Sequence, residues 1–162
     1  MRPLPLVVAA AAAIAMAGAA RAASDEAFLK KALQGDNSEV QLGRIAAERG
    51  GSPEARNFGQ MLVTDHGQHK MQVVPLAQAH RITDVDTAMP AANAEAAKLQ
   101  GLSGRAFDHE FGRYMVRDHK ADIADYRREA ARAHDPAVRK LAQGTLPTLH
   151  KHLNAAERLA RM

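Results

Sequence analysis

The chain has 162 residues, with 22 Lys and Arg against 18 Asp and Glu, 8 His and no Cys. That length suits one domain and leaves no room for a TIM barrel or a large two-domain enzyme; the missing Cys excludes disulfides, thiolate metal sites, Cys nucleophiles and lipidation at an N-terminal cysteine. A 46 % hydrophobic and 25 % charged composition describes a folded protein, and aromatics at 4 % argue against base-stacking platforms for single-stranded nucleic acid.

Arg2 opens the chain with positive charge, Leu4 to Ala20 form an Ala-rich apolar run, and Ala20-Arg21-Ala22 follows as a small-x-small cleavage site. This order predicts a secretory signal peptide over residues 1–22, cut after Ala22. The run is too short and too weakly hydrophobic for a spanning helix, so no stable membrane span is expected after cleavage. Removing Arg2 and Arg21 lowers the net charge from +4 to +2. The basic balance of the whole chain therefore says little about partners, and an exported protein is not expected to bind nucleic acid. The expected location is the periplasm or cell envelope.

The mature chain, residues 23–162, reads as all-α. Ala, Leu, Gln, Arg, Glu and Lys dominate, and no stretch alternates with a two-residue period. A first helix is expected from the Ser24-Asp25-Glu26 start signal to Arg49, stopped by Gly50-Gly51. Ser52-Pro53-Glu54 caps a second helix reaching about His80. Residues 81–103 are broken by Asp84, Asp86, Pro90 and Gly101 around a short Ala-rich helix. A third long helix runs from Gly104 to Ala133, and Asp135-Pro136 opens a fourth that Pro147 should kink. Two tight turns make the outer pairs antiparallel neighbours. The long middle connection favours a ferritin-like four-helix bundle with one crossover between helices two and three over an up-down-up-down arrangement.

An internal repeat carries the chemistry. Phe58-Gly59-Gln60-Met61-Leu62-Val63-Thr64-Asp65-His66 returns as Phe111-Gly112-Arg113-Tyr114-Met115-Val116-Arg117-Asp118-His119. Three residues beyond each His stands another potential ligand, His69 in one copy and Asp122 in the other. A second, weaker echo sets His69 opposite His152. On helical wheels the buried faces carry Glu39 on the first helix, His66 and His69 on the second, His119 and Asp122 on the third and His152 on the fourth. His109 and His150 point away. His80 and His134 fall at helix C-terminal ends, where the dipole favours a cation. Met61, Met71 and Met115 read as core filler, and Arg127, Arg128 and Arg132 as a solvated face.

Carboxylates in an apolar interior are strongly disfavoured unless something neutralises them. Imidazoles and acids converging on a divalent cation do so, and bundle cores build such sites. The candidate ligands are Glu39, His66, His69, His119, Asp122 and His152, with Asp65 and Asp118 orienting the His rings. Imidazole-rich donors suit Zn, Cu or Fe. The alternative is a metal-free envelope interaction module whose Asp–His pairs satisfy each other in the core. A metal-dependent oxidase or hydrolase would need an open coordination position with substrate access. No nucleophile–base motif or phosphate loop is present, so enzyme activity ranks last.

Phe28-Leu29-Lys30-Lys31-Ala32, Glu39-Val40-Gln41-Leu42-Gly43, both Asp-His pairs and Leu146-Pro147-Thr148-Leu149 with His152 resemble an exported bacterial family catalogued as domain of unknown function 4142. The resemblance covers nearly the whole mature chain. It implies a ferritin-like helical bundle in the envelope, without an established activity. The family's recurring polar positions match Glu39, Asp65, His66, Asp118, His119 and His152, whereas His69 and His150 fall outside its pattern. The Glu-x-x-His motifs of di-iron ferritins are missing, which argues against ferroxidase chemistry.

Overall fold

The structure, a computed structural model, describes residues 6–162, with side chains from Ser24 onward; the signal peptide expected at residues 1–22 lies outside the residues described in full. The described residues are all-helical and contain no strand: α1 (Leu6–Arg49), α2 (Pro53–Ala79), α3 (Pro90–Gln100), α4 (Gly104–Arg132) and α5 (Pro136–Leu159). The long helices read from the sequence are α1, α2, α4 and α5, and α3 is the Ala-rich segment inside the long connection. No helix among these residues is long and apolar enough to cross a membrane.

Local chemistry explains the boundaries. Ser52 accepts the Ala55 N–H at 3.1 Å ahead of Pro53, and Asp135 accepts the Ala137 N–H at 2.7 Å ahead of Pro136. Both α2 and α5 continue through an internal proline, Pro75 and Pro147. The expected start at Ser24-Asp25-Glu26 is corrected, because α1 already runs from Leu6. Asp25 is buried and serves a distant turn instead. It accepts the backbone N–H of His134 at 3.0 Å and of Asp135 at 2.7 Å, satisfying donors between α4 and α5.

Contacts at the helix ends fix the relative directions. Gly51, just before α2, donates to Asp108 in the first turns of α4 at 2.7 Å. At the other end His80, the C-cap of α2, meets Asp135 after α4 at 3.2 Å. So α2 and α4 run the same way, each antiparallel to its hairpin partner. The connection returns along α1, where Asn37 donates to the carbonyls of Val85 and Thr87 and the Ser38 hydroxyl accepts the Met89 N–H.

The repeated glycines set the closeness of each hairpin. A Cβ on Gly59 would lie 2.5 Å from the Gly43 carbonyl oxygen and the Ala47 nitrogen of α1; one on Gly112 would lie 2.6 Å from the Ala160 nitrogen. The apolar interior is divided in two. One cluster, with Phe28, Leu33, Val73, Ile123, Val138 and Leu149, lies toward the α4–α5 turn. The other, with Leu42, Phe58, Leu62, Phe107, Phe111 and Leu159, lies toward the α1–α2 turn. Between them sits a layer of buried polar side chains.

Candidate metal centre

Each long helix contributes to that layer. Glu39 from α1, His66 and His69 from α2, His119 from α4 and His152 from α5 are all buried. The rings of His66, His119 and His152 face one another, with centroids 6.1 Å apart for His66–His119, 5.2 Å for His66–His152 and 5.3 Å for His119–His152. One nitrogen from each of these three rings lies within 4.8 Å of the others, so the group could hold a metal ion. Phe58 and Phe111, the aromatic heads of the two repeats, pack at 5.6 Å; Phe58 also lies 6.4 Å from His152 and closes the triad on the apolar side.

Each of the three rings has one nitrogen tied down. His66 Nδ1 donates to Asp36 Oδ1 at 3.0 Å, His119 Nδ1 to the Met115 carbonyl at 3.0 Å, and His152 Nε2 to Asp65 Oδ2 at 2.9 Å. These acceptors place the proton on the bonded nitrogen and leave a lone pair on the other. Those other nitrogens, Nε2 of His66, Nε2 of His119 and Nδ1 of His152, are buried with no hydrogen-bond partner among the described residues. Both oxygens of Glu39 share this condition, with Oε2 lying 3.8 Å from His66 Nε2.

Burial keeps His119 and His152 neutral. Burial, reinforced by any charge on His66 and His152, pulls His119 down to about 3. Burial pulls His152 down to about 4, although the Asp65 hydrogen bond works the other way. Burial and then the charge of Asp118 push Glu39 well above the usual carboxylate range, and the same two causes raise Asp122 to about 7. For Asp65 burial pulls upward, but hydrogen bonds from His152 and Lys151 outweigh it and hold the carboxyl low.

The remaining predicted ligands stand apart from the triad. His69 places Nδ1 2.9 Å from both Asp36 oxygens and receives the Tyr126 hydroxyl on Nε2 at 3.4 Å, so both of its nitrogens are engaged. Asp122 lies along α4 toward Asp36 and Asp125, only partly covered. Asp65, expected to orient a ring, accepts the hydrogen bond of His152. Asp118 instead approaches Glu39 and His119, the three bringing one donor atom each within 4.8 Å of one another. His109 and His150 are exposed, and His80 bonds Asp135 rather than merely facing a helix end.

Sequence reading missed Asp36, the acceptor shared by His66 and His69, and the hydroxyl role of Tyr126. Asp36 had a legible signal, since it precedes Glu39 by three residues and thus shares its helical face. A cleft between α2 and α5, lined by Asp65, Gln68, His69, Gln72, Lys140 and Thr148, reaches the outer side of the layer from solvent.

Comparison with solved structures finds a crystal structure of a DUF305 fragment from Deinococcus radiodurans. It is 19 % identical, with a TM-score of 0.74, and the match covers 86 % of this chain and 97 % of that one; at such identity it shows a shared helical fold alone. Comparison with curated proteins gives no match. The family described as Domain of unknown function (DUF4142) matches over residues 9–159, almost the whole sequence. The chain therefore belongs to the DUF4142 family.

Proposed function

We propose that this is an exported envelope protein that binds one transition-metal ion for storage, buffering or sensing. His66, His119 and His152 supply three nitrogens, and Glu39 supplies the fourth donor. One observation carries this reading. Three buried rings, one nitrogen of each within 4.8 Å of the others, each spend one nitrogen on a fixed acceptor and leave the other unpartnered, beside an unpartnered carboxylate. Buried polar atoms are paired in the great majority of cases, and such a concentration of exceptions is what ligation would relieve. Acceptors holding the far side of each ring are what metal-bound histidines need. Imidazole-rich donors without thiolate suit Zn, Cu or Fe.

We read the four long helices as a ferritin-like bundle with α3 inside its single crossover; the shared direction of α2 and α4 supports this. Export rests on the charge, apolar run and cleavage pattern of residues 1–22. In the metal-free alternative, Asp36, Asp65 and the Met115 carbonyl satisfy the histidines as plain structural partners. That accounts for one nitrogen of each ring and leaves the opposite ones without a reason. Elemental analysis of untagged protein from its native compartment is the test, with melting temperature measured on adding Zn, Cu, Fe or Mn. Near-stoichiometric metal, or a rise in melting temperature lost in His66→Ala and His119→Ala, is expected. No metal and no shift would overturn the reading.

A further inference from the structure

We propose that Glu39 is shared between two ions, and that a second, oxygen-seeking cation of the Mn2+ class binds between Glu39 and Asp118 with Asp122 beside them. The sharing of Glu39 rests on the imidazole centre proposed above; the carboxylate pocket rests on its own observations. Glu39, Asp118 and His119 form a donor group distinct from the three-histidine group, overlapping it only at His119. His119 Nδ1 already gives its proton to the Met115 carbonyl, and Glu39 Oε1 lies 3.5 Å away from that nitrogen without a hydrogen bond. Oε2 faces His66 instead. The two oxygens of one carboxylate, 1 % exposed, thus look toward two different neighbourhoods.

The surroundings lack a counter-charge for this carboxylate. Asp36 is taken by His66 and His69, and Asp125 by Lys31 and Arg128. Asp118 and Asp122, one turn apart on α4, have no salt bridge among the described residues, and Asp118 stands close enough to Glu39 for the two carboxyls to share a proton in the absence of an ion. Lys31 bonds Asp125 and acts on Asp118 and Asp122 only through its charge. Three carboxylates are left without a cationic partner, and one of them is buried with both oxygens bare. Burying such charge is costly unless a cation or a proton joins it. Carboxylate oxygens with water suit Mn2+, Mg2+ or Ca2+, whereas the neighbouring imidazoles suit Zn2+ or Cu2+. Two adjacent sites of unlike preference follow from this partition of donors.

The test uses the chain stripped of metal by chelation, loaded with one equivalent of Zn2+ and titrated with Mn2+, free Mn2+ being read by electron paramagnetic resonance. One Mn2+ per chain is expected in addition to the zinc. Replacing even an outer partner of a metal ligand weakens binding about 10- to 100-fold, so Asp118→Asn should weaken Mn2+ by at least about tenfold while zinc stoichiometry holds. Asp122→Asn, on a partly exposed side chain, gives the same reading should Asp118→Asn fold poorly by circular dichroism. No Mn2+ bound beside zinc, or Mn2+ binding indifferent to both substitutions, overturns the second site and leaves the imidazole centre standing. Failure of zinc uptake overturns the imidazole centre and with it the sharing of Glu39.

Discussion

His119 and His152 are kept neutral where free imidazole would be charged, and the consequence has a definite sign. In the unfolded chain both protonate near 6.5; in the fold they wait until about 3 and about 4. Their contribution to stability is full above pH 6.5 and is lost as pH falls toward those values, by up to about 1.4 kcal/mol per pH unit for each group. Asp122, raised from 3.8 to about 7, runs oppositely: its contribution is full below 3.8 and lost as pH rises to about 7. Glu39 behaves as Asp122 does. Glu95 and Glu129, also raised by burial, act in the same direction, so the ion-free protein should lose less stability between about pH 6.5 and 4.5 than the two histidines alone would cost it. Asp122→Asn removes one opponent, so its stability should fall with acid by up to about 1.4 kcal/mol per pH unit more than the parent's. Urea denaturation at several pH values reads this, and parallel profiles would contradict it. Asp65→Ala tests the orientation of His152: it strips a buried ring N–H of its acceptor, so a loss of about 1–3 kcal/mol in fold stability is expected together with about 10- to 100-fold weaker metal binding, measured by chelator competition.

Among the elements, the repeated glycines separate packing from propensity. Gly59→Ala would press a methyl group onto backbone atoms of α1. The strain of overpacking, about 1–3 kcal/mol, exceeds the gain in helix propensity, about 0.8–1 kcal/mol, so a net loss is expected in thermal denaturation. Gly144→Ala is the contrast, because a Cβ there meets nothing within 4 Å. That variant should gain up to about 1 kcal/mol. Elements of this kind were legible because Gly50-Gly51, Ser52-Pro53 and Asp135-Pro136 act on their immediate neighbours. Asp25 was misread for the opposite reason: as a local start signal it looks convincing, yet its partners lie more than a hundred residues away. Helical wheels placed Glu39, His66, His119 and His152 on inner faces because facing depends on spacing alone. They could not separate His69 from His66, since both lie on the buried face and only the reach of Asp36 and Tyr126 distinguishes them.

Across the whole molecule, a polar layer interrupts the apolar interior and divides it into two clusters. An ion joined to α1, α2, α4 and α5 would tie all four helices at that level. Ligation stabilises the native state by about 2.7 kcal/mol when free ion stands at 100 times its dissociation constant. Hydrogen exchange should therefore slow most for amides flanking His66, His119 and His152 on adding metal, and least at the helix ends. Uniform slowing along the helices would contradict a centre at this position.

The distribution of donors between the two hairpins carries a further consequence. Glu39 and His66 belong to the first half of the chain, His119 and His152 to the second, and the acceptor that steadies His152 is Asp65 from the first. Neither half holds the whole donor set. An ion at the three-histidine centre would meet its full donor set only once the last helix is in place, so its binding would report on a completed fold.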